Sequence, residues 1–198
     1  LILDLFRASQ LPPISRPLTS FLTPYVDGRD HRGPVIVSHI FLLIGCSIPL
    51  WLSLSDLPRT GLGPWAGWEI PSRDVSMASG VICVGMGDAA ASLVGRRYGR
   101  LKWFWGGGKS LEGSAAFVAA VTCGLIAVRA WLVLGGWPVS GVESAEGTAF
   151  SAHFWAWTLL KAVLAAAGTS ATEAILTGCN DNVVVPVVLW LLVRGLGV

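Results

Sequence analysis

The chain has 198 residues, of which 53% are hydrophobic and only 13% are charged, and its mean hydropathy is +0.64. Soluble domains are roughly 25% charged, so this composition excludes an ordinary soluble domain and predicts a membrane protein. A net charge of +2 argues against nucleic-acid binding. The chain begins at Leu1 without an initiator methionine, and we expect it to be part of a longer protein.

Five apolar segments follow one another along the chain. Each is long enough, or nearly so, to cross a bilayer core that needs about 20 helical residues. They cover residues 35–54, 75–94, 114–134, 152–167 and 183–198. Because a spanning segment must satisfy its own backbone hydrogen bonds, the sequence predicts an all-α fold, a multi-pass transmembrane helix bundle with about five spans.

Basic residues concentrate between the second and third apolar segments. This connection holds Arg96, Arg97, Arg100, Lys102 and Lys109, whereas residues 135–151 hold no Lys or Arg. Because cytoplasmic loops carry the excess of Lys and Arg, we predict that this connection faces the cytosol. Alternation of the spans then puts residues 168–182 on the same face.

An acidic residue, Asp88, lies inside the second apolar segment and is followed by regularly spaced small residues. Ala91, Gly95 and Gly99 recur every four residues, which places them on one stripe of a helix. Such a stripe is typical of close helix packing in membranes. An ionisable group at membrane depth, however, normally faces a partner, a cavity or an ion. We therefore predict a metal or phosphate site at this helix end.

A glycine run, residues 106–108, precedes Lys109 and the third apolar segment. By itself such a run indicates a flexible turn. Its position suggests more, because backbone N–H groups at a helix start point towards an anion and a lysine adds positive charge. The spacing of a Walker A loop is incomplete, and no strand is predicted before it.

Polar residues also precede the last apolar segment, namely Glu173, Asn180, Asp181 and Asn182. One interpretation is capping, since Asn and Asp satisfy free N–H groups at a helix start. The other is that these side chains complete a magnesium and nucleotide site together with Asp88, which is predicted at the same membrane face. Both interpretations stay open at this point.

These residues resemble the nucleotide motif of the dolichol kinases, within the broader polyprenol kinase group. The family motif is Asp, then Ala, Gly and Gly at fixed spacing, followed after a gap by Lys-Lys-Thr-x-Glu-Gly. The matching positions are Asp88, Ala91, Gly95, Gly99, Lys109, Glu112 and Gly113. Gly108 stands where the family has its first Lys, and Ser110 replaces Thr. Residues 38–51 and 171–188 also resemble dolichol kinases.

The resemblance implies a multi-pass enzyme of the endoplasmic reticulum membrane, with residues 1–198 forming a single membrane-embedded kinase domain from the C-terminal part of the protein. It implies transfer of a phosphoryl group from CTP to dolichol at the cytosolic face, with a divalent metal, Mg²⁺ or Ca²⁺. The dolichyl phosphate produced supports protein glycosylation. The partners implied are dolichol or a related polyprenol, CTP and the bilayer.

Roles follow from this resemblance at the motif positions and, for Glu173, Asp181 and Asn182, from their predicted place at the same membrane face as Asp88. We expect catalytic roles for Asp88, Lys109, Glu112 and Asp181. We expect nucleotide contacts from Ala91, Gly95, Arg96, Gly99, Lys109, Ser110, Glu112, Gly113 and Asn182. We expect metal ligation by Asp88, Asp181 and Glu173. The first candidate for a general base is Asp88 and the second is Glu173.

Three alternatives remain at the level of sequence. In the first, the chain belongs to a kinase for another polyprenol or for phytol. In the second, it belongs to an enzyme like the CTP-dependent phosphatidate cytidylyltransferases, which release pyrophosphate instead of CDP. The non-enzyme alternative is a transporter with intramembrane carboxylates. A transporter more naturally has paired broken helices in two related halves, which this sequence does not show.

Overall fold

The computed structural model describes residues 2–23, 37–55, 72–105, 108–137, 151–176 and 180–198. Within these ranges the chain is helical and has no strand, apart from an isolated antiparallel bridge between Lys102 and Ser110. The predicted all-α class is therefore confirmed. Gly106 and Gly107 of the glycine run, and most of the predicted connection 135–151, lie outside the described residues.

Residues Leu1–Ile44 form one compact unit, and Gly45–Val198 form another. The first unit contains two short helices that pack on each other, α1 (Ile2–Ala8) and α2 (Ser15–Leu22). The third helix, α3 (Val37–Ser55), begins in the first unit and ends in the second.

The second unit carries every predicted site residue. Its helices are α4 (Val75–Tyr98), α5 (Leu111–Leu134), α6 (Ala152–Ile175) and α7 (Asp181–Leu196). Consecutive helices pack on one another from α4 to α7, and α7 also packs on the first half of α4. This arrangement brings together the C-terminal half of α4, the start of α5 and the end of α6.

Three helical segments among the described residues are long and apolar enough to cross a membrane, Ser38–Ser55, Val75–Tyr98 and Leu111–Leu134. They correspond to the first three predicted segments. The fourth and fifth segments form α6 and α7, which do not reach the same measure of length and hydropathy. The α7 helix has 16 residues. The predicted number of about five spans is thus slightly larger than the number that the described helices support.

The core lies between α4, α5, α6 and α7. Its fully buried side chains include Phe117, Val121, Leu125 and Leu189. Where α6 meets its neighbours it presents alanines, Ala162, Ala165 and Ala166, which are also fully buried. Small residues let membrane helices approach closely, so this core fixes the helix ends that carry the site.

The α4 helix changes its winding along its length. It begins with a 3₁₀ turn whose N-cap Asp74 accepts a hydrogen bond from the Ser76 N–H at 2.9 Å. Residues Ile82–Asp88 are wound as a π-helix, and Ala89–Tyr98 return to the α form. Extra-wide π turns are frequent at functional sites, and here the π segment ends at Asp88.

Candidate functional site

A polar cavity of about 410 Å³ lies between the C-terminal half of α4, the loop from Gly99 to Ser110, the start of α5 and the end of α6. Nine residues of the predicted site line it together: Asp88, Ala91, Gly95, Arg96, Gly99, Lys109, Ser110, Gly113 and Glu173. Three other predicted residues, Glu112, Asp181 and Asn182, do not line this cavity.

Small residues set the distance between α4 and α5 beside this cavity. A Cβ atom added to Gly113 would lie 3.1 Å from the Ala91 carbonyl oxygen and 3.4 Å from the Gly95 Cα. A Cβ atom added to Gly99 would lie 2.6 Å from the Ser110 Oγ. The stripe of small residues therefore serves helix packing, and the same residues form the floor of the cavity.

Ser110 begins α5 as its N-cap. Its Oγ accepts a hydrogen bond from the Gly113 N–H at 3.2 Å, and the Ser114 N–H donates to the Ser110 carbonyl at 3.0 Å. The cap fixes the positive end of the α5 dipole at the cavity wall. An anion in the cavity would be stabilised by this end of the helix.

Glu112 has a different position from the cavity-lining residues. Its Oε1 accepts hydrogen bonds from the backbone N–H groups of Arg100 and Leu101, both at 3.1 Å. The Leu111 N–H in turn donates to the Leu101 carbonyl at 2.9 Å. The carboxylate thus holds the loop that follows α4 against the first turn of α5, and acts on the cavity through the loop.

Four further residues line the cavity although the sequence analysis did not assign them to the site, Ser92, Lys102, Gly108 and Ser114. Helical spacing could have indicated two of them, because residues four apart lie on the same face of a helix. Ser92 lies four residues after Asp88, and Ser114 lies four residues after Ser110. Lys102 is a different case. Its Nζ donates to the Gly108 carbonyl at 2.9 Å across a loop whose pairing the sequence does not predict.

Two tryptophans attach this loop to the helices. The Trp103 Nε1 donates to the Ser114 Oγ at 3.0 Å, and the Trp105 Nε1 donates to the Ala174 carbonyl at 2.7 Å. The two indole rings are stacked, with centroids 4.4 Å apart. The loop is therefore attached to both α5 and α6, which keeps Lys109 close to the end of α6.

Lys109 forms the central ion pair of the site. Its Nζ donates to the Glu173 Oε1 at 2.9 Å and to the Glu173 carbonyl oxygen at 2.8 Å, and it lies 3.6 Å from the Asp181 Oδ2. The side chains of Lys109 and Glu173 are 26% and 13% exposed, so this pair is only weakly screened by solvent. Burial raises the pKa of the Glu173 carboxyl above its ordinary value, and the ammonium of Lys109 opposes that rise.

Asp88 and Asp181 approach the same place from α4 and α7. Together with Glu173 and Asn182 they line a second, much smaller cavity next to the first. The Asp181 Oδ1 also accepts a hydrogen bond from the Asn182 N–H at 3.2 Å. The N-cap of α7 is Asn180, whose side chain makes no capping hydrogen bond. The buried Asn180 Oδ1 has no hydrogen-bond partner.

The chemistry of these donors fits a hard divalent cation, because Mg²⁺ and Ca²⁺ prefer carboxylate oxygens. Among the residues that the structure describes, no three His, Cys, Asp or Glu side chains are arranged as a metal-ligand set. The ammonium of Lys109 instead contacts two of the three predicted ligands, Glu173 and Asp181. A metal at this place therefore requires Lys109 to move away from the carboxylates.

The fold and the cavity together define a helical membrane protein with a site for a small polar ligand. Helices of membrane length enclose a polar cavity at their ends, lined by glycines, basic side chains and carboxylates. A cavity of this volume and lining accommodates a small polar ligand beside the lipid phase.

Relatives identify the family. The dolichol kinase of Schizosaccharomyces pombe is 34% identical over 196 residues, which are 99% of this chain and 32% of that protein. The Arabidopsis thaliana dolichol kinase is 31% identical over 95% of this chain and 27% of that protein. The human dolichol kinase is 36% identical over 61% of this chain and 21% of that protein. The chain is homologous to the dolichol kinases, and the predicted resemblance is confirmed.

This chain spans about a third of the length of the first two relatives. No family profile matches the chain. No solved structure matches it either.

Proposed function

We propose that this chain carries the phosphoryl-transfer site of a dolichol kinase that uses CTP as its donor. The observation that supports this most directly is the polar cavity, in which Lys109 lies beside Glu173 and the glycines of α4 and α5 leave room for phosphate oxygens. Homology to dolichol kinases supports the acceptor, since their name states the alcohol on which they act.

The basic side chains of the cavity are the proposed contacts of the triphosphate. Arg96, Lys102 and Lys109 line it, so three positive charges face a donor with about four negative charges. The small residues Gly95 and Gly113 contribute backbone close to the phosphate oxygens. Because these basic residues belong to the predicted cytosolic connection, we propose that CTP binds from the cytosol.

Asp88, Asp181 and Glu173 are the proposed holders of a divalent cation. When bound, Mg²⁺ or Ca²⁺ would supply positive charge that neutralises the phosphate oxygens during transfer. In this proposal Lys109 leaves Glu173 when the donor binds and donates to a phosphate oxygen instead. The lysine thus keeps the carboxylates neutralised before the donor arrives and contacts the donor afterwards.

The proposed reaction is an in-line transfer. The hydroxyl oxygen of the acceptor attacks the γ-phosphorus of CTP, and a new O–P bond forms while the bond between the γ-phosphorus and the β,γ-bridging oxygen breaks. CDP leaves with that oxygen, and the hydroxyl proton passes to the Asp88 carboxylate. Positioning supplies most of the catalysis in such a step, because the protein need do little covalent chemistry. In this scheme Glu112 positions the loop that carries Lys109.

The test is incubation of the full-length protein with γ-labelled CTP and a panel of dolichol, other polyprenols, phytol and phosphatidate. We expect the label on dolichol, with release of CDP. Label in pyrophosphate together with a CDP-lipid would identify a cytidylyltransferase instead. A label on phytol or a short polyprenol in preference to dolichol would change the acceptor, and movement of a solute without any product would favour the transporter.

The cellular part of the proposal is a site in the endoplasmic reticulum membrane that supplies dolichyl phosphate for protein glycosylation. Depletion of the full-length protein in its own cells is the corresponding test. We expect under-glycosylated glycoproteins, with recovery when dolichyl phosphate is supplied. Normal glycosylation after complete depletion would contradict this role.

A further inference from the structure

A second cavity lies directly beside the polar one, and Asp88 and Glu173 line both. Besides four polar residues, the second cavity is lined by apolar side chains from three helices, Cys83, Val84, Phe117, Val185 and Pro186. We call it the apolar slot. It measures only about 10 Å³, which is close to the room that one water molecule needs.

We propose that the apolar slot receives the hydroxyl-bearing end of the isoprenoid acceptor. This inference rests on the proposed function and specifies where the acceptor binds. The transfer needs a charged donor and an apolar acceptor to meet at one phosphorus atom, and the two cavities provide a polar side and an apolar side that share two carboxylates. A hydroxyl beside the carboxylates of the slot would lie near Asp88, the proposed proton acceptor.

The polar lining of the slot suits a hydroxyl group. Asp88, Glu173 and Asp181 all line it. A carboxylate oxygen accepts a hydrogen bond from an alcohol O–H. An alcohol in the slot can therefore donate to one of these carboxylates while its carbon chain contacts the apolar residues.

The small volume of the slot means that the acceptor must widen it. Cys83 and Val84 belong to the π segment of α4, and Gly85 in the same segment has no atom within 4 Å of the place where a Cβ would lie. Gly85 is exposed and does not line the slot, so the π segment is not packed against other described residues at this position. The slot residues of α7, Val185 and Pro186, are fully or almost fully buried. The π segment is therefore the wall that we propose to move.

Filling the slot is the first arm of the experiment. In the full-length enzyme we expect Val185→Phe to raise the KM for the polyprenol at least tenfold and to leave the KM for CTP within twofold. The matched control is Leu191→Phe on the same helix, because Leu191 is 56% exposed and does not line the slot. Equal acceptor kinetics in both variants would overturn the proposal.

The second arm does not depend on activity, and it holds if Val185→Phe fails to fold. The variant Val84→Cys, made together with Cys83→Ala because native Cys83 also lines the slot, is labelled with a small lipid-soluble thiol reagent. We expect a polyprenol to slow the labelling at least fivefold while CTP alone does not. Native Cys123, which is exposed on α5, serves as the internal control and should not be protected. If polyprenol leaves the labelling rate of Val84→Cys unchanged, the proposal that the acceptor binds in the slot is wrong.

The two proposals fail in different ways. If the full-length protein phosphorylates no alcohol from CTP, the proposed function falls. If it phosphorylates dolichol but neither arm detects the acceptor at the slot, only the acceptor site is wrong.

Discussion

Replacing Lys109 with alanine removes the ammonium that pairs with Glu173 and Asp181. We expect this change to affect both the stability of the protein and its use of CTP. The first effect is on stability. Glu173 is 13% exposed and loses its charged partner at 2.9 Å, and an unsatisfied buried carboxylate costs about 1–3 kcal/mol. We expect the free energy of unfolding of the unliganded protein to fall by about this amount.

The second effect is on the donor. In the proposed function Lys109 contacts a phosphate oxygen, and the loss of one charged hydrogen bond costs about 1.5–3 kcal/mol. Because each 1.36 kcal/mol is tenfold in rate, we expect kcat/KM for CTP to fall roughly 10- to 150-fold. The KM for the polyprenol should change little, since Lys109 does not line the apolar slot.

The assay compares Lys109→Ala with the double variant Lys109→Ala/Glu173→Gln. The glutamine removes the unpaired charge, so we expect thermal stability to recover in the double variant while CTP use stays impaired. Recovery of both properties would show that Lys109 acts only as the partner of Glu173. An unchanged kcat/KM for CTP in the single variant would refute the phosphate contact.

Three further predictions follow from the same site. Asp88→Asn and Asp181→Asn should each abolish transfer in a folded, inserted protein, and the double variant should be no worse, because one ligand lost already dismantles a shared cation site; near-normal metal-dependent activity in either single variant would contradict the shared site. Glu112→Ala should reduce CTP use far more than Glu112→Gln, since the amide oxygen still accepts from the Arg100 and Leu101 N–H groups; kinetics of the pair decide this, and equal losses would point to a need for the charge itself. A cysteine at the exposed position Leu101 should react with an impermeant reagent on sealed microsomes, and reaction only after the lumen is opened would reverse the predicted orientation.

The sequence by itself determined the membrane class and most of the polar cavity. Asp88, Ala91 and Gly95 lie on one helical stripe, and their relation to one another follows from a period of 3.6 residues. Gly99 is the C-cap that directly follows this helix. The proximity of Lys109 and Ser110 to the next helix start is equally local. Such short-range geometry can be predicted because the backbone between these residues has few conformations.

Only the tertiary structure decided which long-range partners meet. Lys109 and Glu173 are 64 residues apart, and their contact depends on α6 packing against α5. The Glu112 carboxylate, for which the sequence predicts a nucleotide contact, accepts hydrogen bonds from backbone N–H groups of the preceding loop in the fold.

The end of α6 lies further along the chain than the pattern of apolar residues predicts. The sequence predicts that the fourth apolar segment ends at residue 167, whereas the helix continues to Ile175. In this polar extension Thr169 and Thr172 donate their hydroxyls to the Ala165 and Gly168 carbonyls at 2.8 and 2.9 Å. Such bonds satisfy the hydroxyls but do not themselves favour a helix. Packing on α5 therefore stabilises the extra turns that carry Glu173 to Lys109.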